Sequence, residues 1–434
     1  MSTGEFGTRR DGRVMPFFGP RGRGTASQAP RLWRATQRLR GSELVIALLV
    51  ASGVVFAIAL HASDLGLYRQ YAKASLASPL MHSLPKEYPA ASLVVFLLPL
   101  ALHLPYSLGF ALVAAIGAVA MVLCGHGLDD QPGWSYRMCV YLLLGAAAVV
   151  FARYDIFPAL AALVAVEAAR RDRWGRAWAW AVLGGLLKLF PFLLLPGFFV
   201  AERASTRKWP LRRVFAAGGV VALVGAAQSL VAPGNLFSPF TYELHRGFEL
   251  SSLQGSLTLL ADPLHVHWVS GFGSVEIVGV AHTVISVCVA VAMVGALLYI
   301  WHLAWRQRLS VEAVSLAVLT VGVLGDKAFA AQYLIWLVPF WAYWPFRRGW
   351  VAVAGLTTLV YPLLYGEAHT LGPDFYVPTA VALVRNALLL GATAFWLREQ
   401  LRPGHQVETD GLPGNVLLPG GRDTAPEGAT CTRL

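Results

Sequence analysis

The chain places an acidic side chain, Asp64, where a purely structural role would rarely put one. A run of apolar residues from about 43 to 60 is long enough to cross a membrane as a helix, and Asp64 follows it closely. The predicted position is just outside the membrane, at the C-terminal end of that helix, where the helix dipole disfavours an anion. A carboxylate in this setting, with Tyr68 and Arg69 beside it, indicates a working group at the mouth of a membrane-embedded site.

Other side chains that could act on a substrate lie near the ends of later apolar runs. They are Tyr68, Arg69, Lys73, Glu87, Arg153, Tyr154, Asp155, Lys188, Tyr242, His245, Arg246, Glu249, Asp326, Lys327 and Gln332. Ionisable groups at membrane depth are costly and normally face a cavity or a charged partner. Several cations beside carboxylates suit a lipid substrate that carries a phosphate, with one carboxylate left for acid–base chemistry.

Two of these groupings also have structural explanations. Arg153 and Asp155 could form a simple ion pair at a helix boundary, because such pairs are common there. Arg69 and Lys73, one helical turn apart, could form a solvated face at the membrane interface.

No metal site is predicted. His265 and His267 lack a carboxylate at ligand spacing, which favours an exposed loop. The segment around Asp64 also has a single aspartate, whereas a pair spaced by one residue is the usual reason to expect a divalent ion.

The composition indicates a membrane protein. Of 434 residues, 56% are hydrophobic and 14% are charged, and the mean hydropathy is +0.56. The net charge of +11 does not indicate nucleic acid as a partner, because the arginines lie at the ends of apolar runs. There they orient helices and meet anionic headgroups, so the expected partners are membrane lipids.

Basic clusters orient the predicted helices. Those at 170–173, 203–213, 306–308 and 347–348 are expected inside the cell, together with both termini. Residues 88–104 predict a half-inserted helix, because the run is short and interrupted by prolines. The predicted spans lie at about 43–61, 107–124, 137–152, 156–169, 214–232, 277–302, 310–325, 332–346, 350–365 and 377–397.

The apolar stretch 176–203 is too short to cross a membrane twice and has cations at both ends. It predicts a short re-entrant helical hairpin that turns near Lys188. The sequence therefore predicts an all-α, polytopic transmembrane bundle of about 12 helices, with two long extracytoplasmic loops. The predicted domains are a disordered basic cytoplasmic tail at 1–42, the transmembrane domain at 43–397 and a disordered cytoplasmic tail at 398–434.

Six short motifs occur in order along the chain. They are Asp64-Leu-Gly-Leu-Tyr68, Glu87-Tyr88-Pro89, Arg153-Tyr-Asp155, Lys188-Leu-Phe-Pro191, His245-Arg246-Gly-Phe-Glu-Leu-Ser-Ser252 and Lys327-Ala-Phe-Ala-Ala-Gln332-Tyr333. Together they resemble glycosyltransferase family 87, which belongs to the C-type superfamily. The resemblance covers about residues 44–396.

The resemblance implies an active site on the extracytoplasmic face of the cell membrane. It implies inverting transfer of a hexose, with mannose the expected sugar, from a polyprenyl-phosphate donor to a hydroxyl of a lipid or glycan acceptor. No cofactor or metal ion is implied. By the same resemblance Asp64 is the general base. From their chemistry and their place at one face, the expected substrate-binding residues are Tyr68, Glu87, Arg153, Asp155, Lys188, His245, Arg246, Lys327 and Gln332.

The alternative is a secondary transporter or a lipid flippase, which would also have broken helices and buried charges. The chain has no evident internal repeat, and its charged residues lie at one face instead of the midplane, so the transferase is favoured. A non-catalytic subunit of a lipid-linked assembly would not explain the position of Asp64.

Overall fold

The computed structural model describes residues 51, 63–77, 84–126, 133–232, 237–365 and 375–402. The predicted span at 43–61, apart from residue 51, and the predicted tail at 1–42 lie outside these residues. Of the predicted C-terminal tail only 398–402 is described, and there the last helix extends to Gln400.

The described chain is mostly helical, which agrees with the predicted class. Short 3-10 turns precede α2, α7 and α13, and α14 continues as a π-helical turn, Leu359–Leu364. The elements are α1 Ser63–Leu76, α2 Leu93–Ala101, α3 Tyr106–His126, α4 Trp134–Gly145, α5 Ile156–Arg170, α6 Trp174–Leu187, α7 Leu194–Thr206, α8 Leu211–Val231, α9 Ser238–His245, β1 Phe248–Glu249, α10 Leu253–Ala261, β2 His267–Gly271, β3 Ser274–Val278, α11 His282–Trp305, α12 Val311–Gly325, α13 Leu334–Trp341, α14 Arg348–Thr358 and α15 Tyr376–Gln400.

Four helices of the described chain, α3, α8, α11 and α15, are long and apolar enough to cross a membrane. Among them α8 has no buried residue, so its apolar surface faces outward along its whole length. These helices are typical of a membrane protein. The count of about 12 spanning helices stays a prediction, because several of the other apolar helices are too short to cross alone.

The all-α prediction is wrong in one region. Three short antiparallel strands, in the order β1-β3-β2, form a small sheet, and β3 pairs Ile277 with both Phe248 and Trp268. Phe272 and Gly273, both with positive φ, form the turn between β2 and β3. The predicted span 277–302 therefore begins later, at His282, because Ile277 and Val278 complete a strand.

The helix predicted to reach residue 152 ends at Gly145, and turns lead from there to Asp155. At Gly145 a Cβ atom would meet Ala354 and Leu334, so α4 and α14 approach closely at this point. The early end of α4 leaves Arg153 on irregular backbone, next to the start of α5.

The predicted break near Lys188 is present. Lys188 has extended backbone after α6, and Pro191, which has no N–H to continue the α-helical hydrogen bonds, lies in the 3-10 turn Phe190–Leu193 that follows. The Trp178 indole donates to Glu202 Oε2 at 3.0 Å, so the start of α6 lies beside the end of α7. The two helices therefore run antiparallel, as a hairpin.

The helices connect two chemically different ends of the bundle. Asp155 precedes α5 and Arg170 ends it, roughly 21 Å away. Near Arg170 lies Glu312 at the start of α12, at 3.6 Å. We call this the arginine end; its basic residues are Arg170, Arg203, Arg207, Arg213, Arg306 and Arg347.

Candidate functional site

A cavity of about 870 Å³ lies at the opposite end from the arginine end. Turns and helix ends from most parts of the described chain contribute to its walls. The predicted site residues that line it are Asp64, Tyr68, Glu87, Arg153, Asp155, Lys188, Arg246 and Gln332. Residues far apart in the sequence are thus brought to one chamber.

Asp64 is positioned by the aromatic packing of α1. Tyr68, one turn later, is 1% exposed and stacks on Phe96 of α2 at a centroid distance of 4.3 Å. Asp64 lies in the first turn of α1, where the helix dipole favours an anion, so the dipole argument made from the sequence does not hold. Its carboxylate is paired with the Arg153 guanidinium.

The expected pair of Arg153 with Asp155 is replaced by two other contacts. Arg153 contacts Asp64, and Asp155 accepts hydrogen bonds from Lys188 Nζ and Trp336 Nε1, each at 2.7 Å. Asp155 is 1% exposed, so its charge depends on these donors.

Lys188 sits in an aromatic box on the cavity wall. Its ammonium lies 5.1 Å from the ring centroid of Tyr154, 5.6 Å from that of Tyr333 and 5.0 Å from that of Trp336. Asp155 and the three rings therefore fix the position of the Lys188 ammonium in the cavity wall.

Arg246 is held loosely by comparison. Its guanidinium lies 3.6 Å from Glu249, 3.7 Å from Glu243 and 3.3 Å from Ser274 Oγ. Its Nε and Glu249 Oε2 are buried without a hydrogen-bond partner among the described residues. Burial works against the charge of Arg246, but Glu249, Tyr333 and Glu243 outweigh it, so its pKa lies above the ordinary value. Arg246 is a permanent cation with hydrogen-bonding capacity to spare.

Two predicted site residues do not line the cavity. His245 is exposed, with Nδ1 2.7 Å from the Thr241 carbonyl. Lys327 Nζ donates to the carbonyls of Leu244 and Arg246, at 2.9 and 3.0 Å. Lys327 thereby fixes the backbone that carries Arg246.

Three polar side chains outside the cavity have the structural explanations given above, a solvated face for Arg69 and Lys73 and an exposed loop for His265. Arg69 and Lys73 are exposed on α1, and His265 Nδ1 lies 2.7 Å from Asp262 Oδ1 in an exposed loop. Glu87 does line the cavity, and it accepts a hydrogen bond from Tyr71.

Asp326, which was among the candidate side chains but not among the predicted substrate-binding residues, lines the cavity. It caps the C-terminus of α12, and its Oδ1 accepts a hydrogen bond from the Ala328 amide at 3.1 Å. Burial and the neighbouring Glu243 raise the pKa of Asp326 to about 7, although Ala328, Arg246 and Lys188 oppose this. The available signal was an acidic residue directly after an apolar helix.

Arg385 was missed altogether, although an arginine inside the apolar run of α15 is itself a signal. It is 1% exposed, lines the cavity, and donates to the carbonyls of Phe329 and Ser251. Arg385 therefore links the loops that contain Phe329 and Ser251 to α15 by hydrogen bonds.

The sequence was compared with known proteins. The model of glycosyltransferase family 87 matches residues 87–325, which is more than half of the chain. The matched range includes Arg153, Lys188 and Arg246, whereas Asp64 and Asp326 lie outside it. No curated protein and no solved structure gave a significant match.

Proposed function

Because the chain belongs to glycosyltransferase family 87, we propose that it transfers a hexose from a polyprenyl-phosphate donor to a hydroxyl of a lipid or glycan acceptor. The observation that carries this proposal is the placing of Asp64 and the loosely held Arg246 in the walls of one cavity. A transferase of this kind needs one group that removes a proton and another that stabilises a phosphate.

Arg246 is the proposed anchor of the donor phosphate. A guanidinium can hold two phosphate oxygens at once, and Arg246 lines the cavity with its two carboxylate neighbours, Glu249 and Glu243, at 3.6 and 3.7 Å. As the bond from the anomeric carbon to the phosphate oxygen breaks, negative charge grows on that oxygen. A fixed cation in a cavity of low polarity stabilises this charge without reorganising.

Asp64 is the proposed general base. Its carboxylate accepts the proton of the acceptor hydroxyl while that oxygen attacks the anomeric carbon. The attack comes from the face opposite the departing phosphate, so a single displacement inverts the configuration. The Arg153 guanidinium pairs with this carboxylate and so holds Asp64 in the cavity wall.

The sugar and the orientation complete the proposal. We propose mannose as the first sugar to test, and we place the cavity outside the cell because basic clusters such as those of the arginine end are expected inside. The cations of the cavity supply the charge that the phosphate requires, so we expect neither a cofactor nor a metal ion to take part.

The test is a transfer assay with purified protein in lipid nanodiscs. Polyprenyl-phosphate mannose, polyprenyl-phosphate glucose and nucleotide-linked mannose are each supplied with a lipid extract, and glycosylated products are identified by mass spectrometry. Transfer from a polyprenyl-phosphate sugar is expected, with mannose used best. Transfer from the nucleotide sugar alone would reject the proposed donor class.

A further inference from the structure

A second cavity, of about 580 Å³, lies between α7, α11 and α12 near the arginine end. Its walls are apolar for most of their length and follow one face of α7 and one face of α12. The wall residues that matter here are Leu194, Gly197, Phe198, Ala201, Val314 and Val318. We call this space the α7–α12 groove.

The groove has a polar, basic mouth. Ser205, Arg207, Gln307 and Ser310 line it where α7 and α11 end. Arg207 and Gln307 both have positive φ, and the turns that they make bring them to the same opening. Arg207 is the one charged residue among the described residues that line the groove. Lys208 follows Arg207 in the sequence, and Arg306 and Arg308 flank Gln307.

We propose that the α7–α12 groove binds an anionic phospholipid from the membrane leaflet at the arginine end. One acyl chain would lie along the apolar walls, and the headgroup phosphate would contact the Arg207 guanidinium. An empty apolar space inside a bundle loses packing contacts, which an acyl chain restores. Basic openings between membrane helices are suited to anionic headgroups, and a guanidinium makes charge-assisted hydrogen bonds to phosphate.

The geometry separates this lipid from the donor of the proposed reaction. Arg246 lies in the first cavity, whereas Arg207 lies beyond the far end of α7. Leu193 lines both spaces, so the inner end of the groove meets the wall of the first cavity. The polyprenyl chain of the donor is therefore the competing occupant, and the experiment has to distinguish the two.

The experiment measures lipid binding by native mass spectrometry and thermal unfolding, with no donor or acceptor present. Phosphatidylglycerol is compared with phosphatidylcholine at equal chain length. We expect one tightly held phosphatidylglycerol and a higher melting temperature with that lipid. Because catalysis is not needed for either readout, an inactive protein would reject the proposed function and leave this proposal standing.

Two variants test the position of the site. Arg207→Ala is expected to weaken phosphatidylglycerol binding by about tenfold, since it removes a charged hydrogen-bond donor. Arg212→Ala, an exposed arginine on α8, is the matched control and should bind as the wild type does. Ala201→Trp fills the groove and should abolish binding; if it does not fold, Arg207→Ala alone decides.

Three results would overturn the proposal. The first is equal binding of phosphatidylglycerol and phosphatidylcholine, and the second is equal loss of binding in the Arg207→Ala and Arg212→Ala variants. The third is displacement of bound phosphatidylglycerol by polyprenyl phosphate in the wild type but not in the Arg246→Ala variant. That last result would assign the groove to the donor.

Discussion

At the arginine end, Glu202 accepts from Trp178 at 3.0 Å and pairs with Arg213, and Glu399 lies 2.6 Å from Arg347. The cavity end contains a pair of the same quality, Lys188 with Asp155, but Arg246 has no carboxylate of the described residues closer than 3.6 Å. In an ion pair at hydrogen-bonding distance, the donors are used within the fold. A cation whose carboxylate neighbours lie farther away keeps donors that can bind a ligand. For these two cations of the cavity, the difference predicts a structural role for Lys188 and a ligand-binding role for Arg246.

The largest effect is expected at Asp64. Asp64→Asn keeps the shape of the side chain but cannot accept the proton, so turnover should fall between about 100-fold and 10,000-fold. The measurement is the rate of sugar transfer by folded protein in nanodiscs, with donor binding recorded separately. Asp262→Asn, a carboxylate outside the cavity, serves as the control. Near-normal turnover of folded Asp64→Asn would reject this base and make Glu87 the next residue to test.

Lys188 should behave as a structural charge. Lys188→Ala leaves the buried Asp155 carboxylate without its cation, so the free energy of unfolding should fall by about 3 kcal/mol. The double variant with Asp155→Asn should recover most of that loss, because no unpaired charge is left. Thermal unfolding of the four proteins gives the coupling. A Lys188→Ala variant as stable as the wild type, with weakened donor binding, would instead make Lys188 a phosphate ligand.

Arg246 should behave in the opposite way. Arg246→Ala removes a cation from the cavity wall, so affinity for the polyprenyl-phosphate donor should fall about 30-fold. The melting temperature should fall less than in Lys188→Ala, because the buried Glu249 carboxylate keeps its hydrogen bond from Ser251 Oγ at 2.9 Å. Arg246→Lys should recover part of the affinity, because a point charge replaces the planar fork. Arg348→Ala, exposed at the arginine end, is the control. A large loss of stability in Arg246→Ala would contradict the contrast drawn between the two cations.

The smallest effect concerns Asp326 and pH. Its pKa of about 7 means that the neutral form predominates below pH 7 and the anion above it. An anion there repels the donor phosphate, so the donor KM should rise a few-fold as pH increases through about 7. Asp326→Asn should give a flat dependence over the same range. The contrary observation would be a wild-type donor KM that stays constant from pH 6 to 8.

The same ionisation bears on stability. Between the ordinary pKa of 3.8 and the raised value of about 7, the folded protein holds a proton on Asp326 that the unfolded chain releases. Stability contributed by this group therefore falls as pH rises through that window. Asp326→Asn should gain melting temperature relative to the wild type when the two are compared at pH 8 instead of pH 5.

The convergence of the outer turns on one site was predictable, because charged residues recur wherever the chain returns to the same end of the bundle. The break at Lys188 was predictable too, since a charge and Pro191 interrupt an apolar run. The side-chain partners were not. Their closeness in sequence suggested an ion pair between Arg153 and Asp155. In the structure Arg153 pairs with Asp64 of α1, and Asp155 pairs with Lys188 of the α6–α7 turn.

The misplaced elements have local causes. Ile277 and Val278 continue into the apolar run of α11, so these last two residues of β3 were assigned to a helix. Lys327 was predicted to bind substrate because of its charge. Its side chain is instead directed by hydrogen bonds to two carbonyls that lie 80 or more residues earlier in the sequence. Arg385 was hidden because 24 neighbours in the same helix are mostly uncharged.

The hairpin of α6 and α7 has a consequence for how the protein enters the membrane during synthesis. The two helices contain 14 and 13 residues, and each falls short of the roughly 20 that a lone span requires. Neither can therefore be inserted by itself, and the pair has to move as one unit. Lys188 lies at the turn of the hairpin and enters the membrane with it. Asp155 precedes Lys188 in the sequence, so it is synthesised first and is available to neutralise the Lys188 charge.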